Sequence, residues 1–384
     1  MKGLEDLFSK NSVSLADGES YFFYDLSVVK DNVKKLRSMF KSLSQIYFSV
    51  KSNPSPVILK NLESLNVNFD VSSEKELRAA YVATSDYSKI TISGPAKTDA
   101  FIKFFKNKNV CSVHIDSFEE YRMLENSKTS ISIRWPLESN YSQKVGLPIQ
   151  DLEKIVKLAE NGRKLSGIHI YIGRERATVD LVEKKLSEIR KFVKAHSKSF
   201  QDRPNLFWGA GLPLINHVES GFIPTDPFFS VHLECGRALV HNSAVYVTQV
   251  LETKEKLGER IVIINGGLQH LASHFGSPRF GQDDVSVFLP NRNSIQESNA
   301  NIYGSLGTVT DILVRDVPIS KDLKRGDWIA IGPAGGYGYT AGTSQFLGPH
   351  RPIEIFFEGN QIQIPNTNSL NYLEAGVYET QSIK

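Results

Sequence analysis

Between about residue 45 and residue 235 the chain alternates two hydrophobic rhythms. Short β-branched and aromatic runs recur at Ile46–Val50, Val67–Val71, Lys89–Ser93, Val110–Ile115, Ser130–Arg134, Gly167–Ile172, Asn205–Gly209 and Phe229–Glu234. The stretches between them, such as Ser55–Leu65, Glu74–Ala83 and Gln150–Asn161, space apolar residues three and four apart among charges. That is the pattern of amphipathic helices packed on a sheet. Eight such units read as a (β/α)8 barrel. After Arg237 the texture changes: Ala244–Glu252, Arg260–Asn265, Gly307–Arg315 and Trp328–Ile331 are β-rich and separated by turn signals such as Lys324-Arg-Gly-Asp. The expected division is a barrel over 27–237 and a mainly β domain built from 1–26 and 238–384.

Composition narrows the class. A chain of 384 residues, 40% hydrophobic and 23% charged, suits two ordinary globular domains. The net charge of +3 is dispersed, so nothing points to nucleic acid. Cys111 and Cys235 stand apart in strand-like contexts, at neither metal-ligand nor disulfide-framework spacing, which fits a reducing compartment. The opening Met1-Lys-Gly-Leu-Glu-Asp-Leu-Phe is too acidic for a secretory leader, and no run of about 18 apolar residues occurs. A cytoplasmic protein acting on a small molecule, with no metal and no membrane partner, is the expectation.

Lys51 ends the first barrel strand in Gln45-Ile-Tyr-Phe-Ser-Val-Lys-Ser-Asn-Pro, at the strand end where barrel active sites sit. A lysine amine attacks carbonyls when it is unprotonated, a form that a partly buried barrel mouth can favour. Leu233-Glu-Cys-Gly-Arg places an acid and an arginine after the eighth strand, and Trp208-Gly-Ala-Gly-Leu-Pro closes the seventh with residues that let backbone N–H groups approach an anion. His169 and Tyr171, two apart on the sixth strand, share one face.

Tyr47-Phe-Ser-Val-Lys-Ser-Asn-Pro, Gly167-Ile-His-Ile-Tyr-Ile-Gly, Gly209-Ala-Gly-Leu-Pro, Glu234-Cys-Gly-Arg and Ala334-Gly-Gly-Tyr-Gly-Tyr occur in the order found in the fold-type III pyridoxal-phosphate decarboxylases. The resemblance spans about Tyr21 to Phe357 and takes in Phe69-Asp-Val-Ser-Ser-Glu-Lys-Glu-Leu and Ser93-Gly-Pro-Ala-Lys-Thr. That family includes the diaminopimelate and ornithine decarboxylases. The resemblance implies an alanine-racemase-like (β/α)8 TIM barrel with a C-terminal mainly β domain, and a homodimer with active sites at the interface. It implies that Lys51 holds pyridoxal 5'-phosphate as a Schiff base and that Glu234 pairs with the pyridine nitrogen. Gly209, Gly211, Gly236, Arg237 and Tyr337 would bind the phosphate. A carboxylate at the ring nitrogen keeps it protonated and so favours decarboxylation over racemisation, for which an unprotonated nitrogen is better suited. Relatives usually stack a histidine on the cofactor ring at the position of Tyr171, so here the phenol would replace it. His169 is then either a cofactor contact or a hydrogen-bonded core histidine.

The chain also departs from the family. Where relatives carry a Gly-Pro-x-Cys-x-x-x-Asp loop, whose cysteine is implicated in protonating the substrate carbon, this chain reads Gly304-Ser-Leu-Gly-Thr-Val-Thr-Asp. Asp311 keeps the acidic end, whereas Gly307 has no proton to give; Tyr303, His270, a water or a substrate carboxyl are the alternatives. The segment Ile264-Asn-Gly-Gly-Leu-Gln-His-Leu-Ala-Ser-His-Phe-Gly lacks the Arg-Pro-x-x-Tyr clamp of the diaminopimelate enzymes. With Val250-Leu-Glu-Thr-Lys-Glu-Lys-Leu-Gly-Glu-Arg and Phe346-Leu-Gly-Pro-His-Arg-Pro, it is similar to a biosynthetic subgroup acting on modified amino acids, including citryl-diamino acids in siderophore assembly. His270, His274, Arg279 and Arg351 would supply cations for a citryl group. The expected activity is thus decarboxylation of an N-acylated diamino acid. Decarboxylation of free diaminopimelate, ornithine, lysine or arginine, or a non-catalytic pyridoxal-phosphate-binding role, is the alternative.

Overall fold

The computed structural model describes residues 14–95, 97–136, 144–173, 178–212, 215–271, 285–290, 294, 296–342 and 350–365. They form two compact units: Asn32–Leu239, and a second that joins the residues before Asn32 to those from Val240 onward. The chain opens with strand β1 (Tyr21–Asp25) and helix α1 (Leu26–Met39).

The barrel follows as β2 (Gln45–Ser49), α2 (Pro56–Ser64), β3 (Asn68–Val71), α3 (Glu74–Thr84), β4 (Ile90–Ile92), α4 (Asp99–Phe105) and β5 (Ser112–Ile115). It continues through α5 (Phe118–Leu124), β6 (Ile131–Arg134), α6 (Ile149–Asn161), β7 (Leu165–Tyr171), α7 (Val179–Ala195), β8 (Phe200–Gly209) and β9 (Ser230–Cys235). The eight strands from β2 to β9 are parallel and closed, the ring completed where Gln45 and Tyr47 pair with His232 and Glu234. All eight expected strands are present, and so is the expected barrel with a mainly β companion. Ser73, Thr98, Ser117 and Thr178 each accept a backbone N–H three residues on, and so start α3, α4, α5 and α7 sharply after short loops. Between β8 and β9 the described residues hold only the 3-10 turns Ile215–His217 and Ser220–Phe222. There α1 lends its side chains, with Lys35 Nζ donating to Asn216 Oδ1 and Asn32 Nδ2 to the Leu239 carbonyl.

The second unit is a nine-stranded sheet. Helix α8 (Arg237–Val240) precedes β10 (Ala244–Lys256), β11 (Glu259–Ile264), β12 (Ser286–Phe288), β13 (Glu297–Tyr303), β14 (Ile312–Ser320), β15 (Trp328–Gly332), β16 (Ile353–Glu358) and β17 (Gln361–Gln363). Strand β1 lies between β10, antiparallel, and β16, parallel. Its Tyr-Phe-Phe-Tyr run is apolar on both faces because both are covered. Tyr21 and Phe23 pack with Val245, Val247, Ile355 and Phe357 on one side. On the other, Tyr24 stacks on Phe356 at 4.7 Å and Phe22 meets Tyr246 at 5.2 Å. The strand expected from Gly307 begins only at Ile312; residues 305–310 are a loop held by Asp311.

Candidate active site in the barrel

Alternation along β5, β7 and β9 turns His114, His169 and Glu234 into the barrel interior, where all three are buried. His114 Nε2 lies 2.9 Å from Glu234 Oε1, and His169 Nε2 lies 2.8 Å from Oε2. The two imidazoles stack, with centroids 4.4 Å apart and planes 14° apart. Burial alone would push the Glu234 carboxyl up, but the imidazoles outweigh it and hold the acid below the ordinary carboxylate range. An ionised carboxylate only accepts, so both Nε2 atoms donate. Burial first, and then His169, push His114 down to about 4, which makes it a neutral donor with a bare Nδ1. Phe207 packs on His114 at 4.6 Å and stacks in turn on His232 at 4.8 Å, which extends the aromatic column.

Lys51 follows β2 in a short 3-10 turn, Val50–Ser52, and its side chain is exposed on the chain. Its charge reaches Asp70 and Glu76: burial pushes both acids up, and Lys51 pulls both back. Behind them lies a buried ionic network absent from the sequence reading. Lys97 Nζ donates to Glu120 Oε2 at 3.0 Å and to the carbonyls of Gly94 and His114, both at 2.8 Å. Asp116 accepts from Arg134 at 3.4 Å and from the Gly146 N–H at 2.7 Å.

The other expected cofactor residues divide by place. Gly209, Gly211, Gly236 and Arg237 stand with Glu234 in the barrel unit, and Tyr337 belongs to the β unit. Gly209 has a packing reason of its own, since a Cβ there would come within 2.8 Å of Tyr171 Cδ2. Tyr171 is 46% exposed, unlike His169 at 2%, so the two residues of one strand face meet different environments. Tyr337 has a φ of +63°, a left-handed conformation that costs a non-glycine residue of order 1–2 kcal/mol and is typical of functional sites.

Two further expected site residues, His270 and Asp311, lie in the β unit. His270 Nε2 lies 2.8 Å from the His350 carbonyl and must donate there, so Nδ1 accepts from Tyr246 Oη at 2.8 Å. Burial pushes the ring down to about 4. His270 thus has both ring nitrogens engaged within this unit. Asp311 Oδ1 accepts from the Leu268 N–H and Oδ2 from the Leu306 N–H, each at 2.8 Å. Gly267 and Gly304 leave room for that carboxylate, because a Cβ at either would fall within 2.5 Å of it. The expected catalytic acid is thus engaged as a latch joining two loops. Tyr303 ends β13 and Arg351 is half-buried. His274 and Arg279 lie outside the described residues.

The spacing of His114, His169 and Glu234, with ligand atoms within 4.8 Å of one another, could in principle suit a metal ion. Metal-bound imidazoles, however, ordinarily donate their second N–H to an acceptor, and here neither Nδ1 has a hydrogen-bond partner. The trio reads as hydrogen bonding around an anion. Each Glu234 oxygen takes one imidazole donor and can accept a second, which suits a protonated ring nitrogen. The residues present therefore fit pyridoxal phosphate, since a buried carboxylate with room for a further donor could face its ring nitrogen.

Comparison with known proteins agrees. The family "Pyridoxal-dependent decarboxylase, pyridoxal binding domain" matches residues 26–240. L-glutamyl-[BtrI acyl-carrier protein] decarboxylase of Niallia circulans is 26% identical over 380 residues, covering 87% of this chain and 88% of the relative. The 2-[(L-alanin-3-ylcarbamoyl)methyl]-2-hydroxybutanedioate decarboxylase of Staphylococcus aureus is 24% identical, covering 88% and 93%. The crystal structure of Helicobacter pylori diaminopimelate decarboxylase with L-lysine shares the fold, with a TM-score of 0.78 at 20% identity over 97% of this chain and 99% of that one. A buried acid on β9 and a lysine just past the end of the neighbouring β2, in a barrel whose sequence matches the family along its whole length, lead to one conclusion: the chain belongs to the pyridoxal-dependent decarboxylases, lyases that use pyridoxal phosphate to release CO2.

Proposed function

We propose that the chain decarboxylates an amino acid carrying an acyl extension remote from the α-carboxyl, with a citryl-diamino acid of siderophore assembly as substrate, such as N-citryl-ornithine or citryl-diaminopropionate. The observation that carries this reading is the segment Ile264–His270. It lacks the Arg-Pro-x-x-Tyr clamp for a distal amino-acid carboxylate, and its histidine is tied to Tyr246 and the His350 carbonyl. The names of two relatives support it, since one describes a glutamyl group joined to an acyl-carrier protein and the other an alanine extended at its 3-carbon. Arg351, with Arg279 and His274, would pair with the carboxylates of the extension. We further infer a homodimer as the active form.

Pyridoxal phosphate, when bound, supplies a sink for the electron pair released as the bond between the α-carbon and its carboxylate breaks. The chain's residues prepare that site. Lys51 holds the cofactor through its amine, with Asp70 and Glu76 as neighbouring acids. Glu234, kept ionised, holds a proton at the ring nitrogen. Gly209, Gly211, Gly236 and Arg237 receive the phosphate. Gly307 offers no proton to the substrate carbon, so the returning proton comes from another group or from water.

A second reading, decarboxylation of a free diamino acid, is favoured by the diaminopimelate decarboxylase of Campylobacter jejuni, 24% identical over 90% of this chain. Incubation with citryl-diamino acids and with free ornithine, lysine and diaminopimelate, with products read by mass spectrometry, separates the two. Loss of CO2 from the citryl compounds alone is expected; loss from the free diamino acids alone would overturn the proposal.

A further inference from the structure

The barrel spends two histidines on one carboxylate. A single donor would leave the Glu234 side chain free to rotate about its terminal bond, whereas one donor on each oxygen fixes both. Each carboxylate oxygen still has a lone-pair direction to offer a further donor.

His114 is built for this task from every side. Its ring is fully buried between His169 and Phe207. Its backbone carbonyl accepts from Lys97 Nζ at 2.8 Å, and that ammonium, 1% exposed, is anchored in turn on Glu120. The ring therefore cannot turn away from Glu234 without breaking a packed aromatic column. The Lys97 charge also opposes any positive charge on the imidazole. A donor without charge leaves the negative charge of Glu234 available to a cation.

We propose that His114 is a positioning residue for the cofactor: its Nε2–H fixes the Glu234 carboxylate toward the ring nitrogen and so sets how strongly the site prefers a ring that carries that nitrogen. This rests on the assignment of Glu234 to the ring nitrogen. Nothing in the strand Ser112-Val-His-Ile marks the role, which emerges only when barrel closure brings β5 opposite β9.

The test measures equilibrium affinity of the full chain, freed of cofactor, for two probes: pyridoxal phosphate and its analogue with CH in place of the ring nitrogen. The ratio of the two affinities is compared in the native protein, Glu234→Gln, His114→Phe and His114→Gln. Glu234→Gln should collapse the ratio. His114→Phe should lower it roughly tenfold, as expected for loss of a hydrogen bond to a charged group. His114→Gln, whose amide can place an N–H near the same oxygen, should keep most of it. A purely structural role for His114 would weaken both probes alike and leave the ratio unchanged, which would overturn the proposal. If His114→Phe does not fold, His114→Ala takes its place: the same roughly tenfold fall is expected, and an unchanged ratio overturns the proposal. An unchanged ratio in Glu234→Gln defeats the underlying assignment, and the proposal with it; a collapse there alongside an unchanged ratio in His114→Phe defeats the His114 role alone.

Discussion

His114 and His169 stack face to face at 4.4 Å and present their Nε2 atoms to opposite oxygens of Glu234. Burial, and then His169 beside it, hold His114 neutral. The pair therefore stabilises a buried anion chiefly by donated hydrogen bonds, which is what a partner for a protonated ring nitrogen requires.

Glu234→Gln keeps the shape of the side chain and removes its charge. The expected outcome is a fall in kcat of ~100-fold or more, with a smaller loss of cofactor affinity, because the charge matters most as electrons move toward the ring. Steady-state kinetics beside an equilibrium cofactor titration checks both halves.

Lys97→Met strips the cation from a network in which Lys97 and Glu120 are nearly inaccessible. Breaking a buried pair by removing one partner costs about 3–5 kcal/mol. Urea unfolding of the variant should show that loss. It should also show a lowered affinity for pyridoxal phosphate, because the carbonyl of His114 loses its anchor.

His270 gives a pH signature. Its folded pKa, pushed down to about 4, lies below the unfolded value of about 6.5, so between these limits the unfolded chain binds the extra proton. The stability contributed by the neutral ring is complete above about pH 6.5 and declines toward pH 4 by at most about 1.4 kcal/mol per pH unit. Comparing the native protein with His270→Gln isolates this group from Asp70 and Asp311, whose raised values act in the opposite sense. The stability gap between the two proteins should be wider at pH 7 than at pH 5.

Asp311→Ala removes the acceptor shared by the Leu268 and Leu306 N–H groups. The expected cost is about 1–3 kcal/mol, with faster proteolysis in residues 305–310, where Val309 is 91% exposed. Thermal unfolding and limited digestion provide the check.

The barrel was legible because each parallel strand is a short apolar run and each helix between strands carries a one-sided stripe. Lys51 and Glu234 stood out as candidates through their motifs. His114 was not, since a single histidine between Val113 and Ile115 has no local signature. Its role depends on three strands far apart in sequence. Strand β13 was missed because Glu-Ser-Asn-Ala-Asn-Ile-Tyr is mostly polar and is recruited by β11 and β14 rather than by its own pattern. The strand expected from Gly307 failed at its start because Asp311 draws the Leu306 N–H, and with it the loop, toward its carboxylate.

The covalent link at Lys51 can be tested directly. Reduction of the cofactor-loaded protein with borohydride, followed by digestion and peptide mass spectrometry, should place a phosphopyridoxyl group on the peptide containing Lys51 and nowhere else. The Lys51→Arg variant should carry none. A label on another lysine, or an unlabelled Lys51 peptide from protein that has bound the cofactor, would contradict the account.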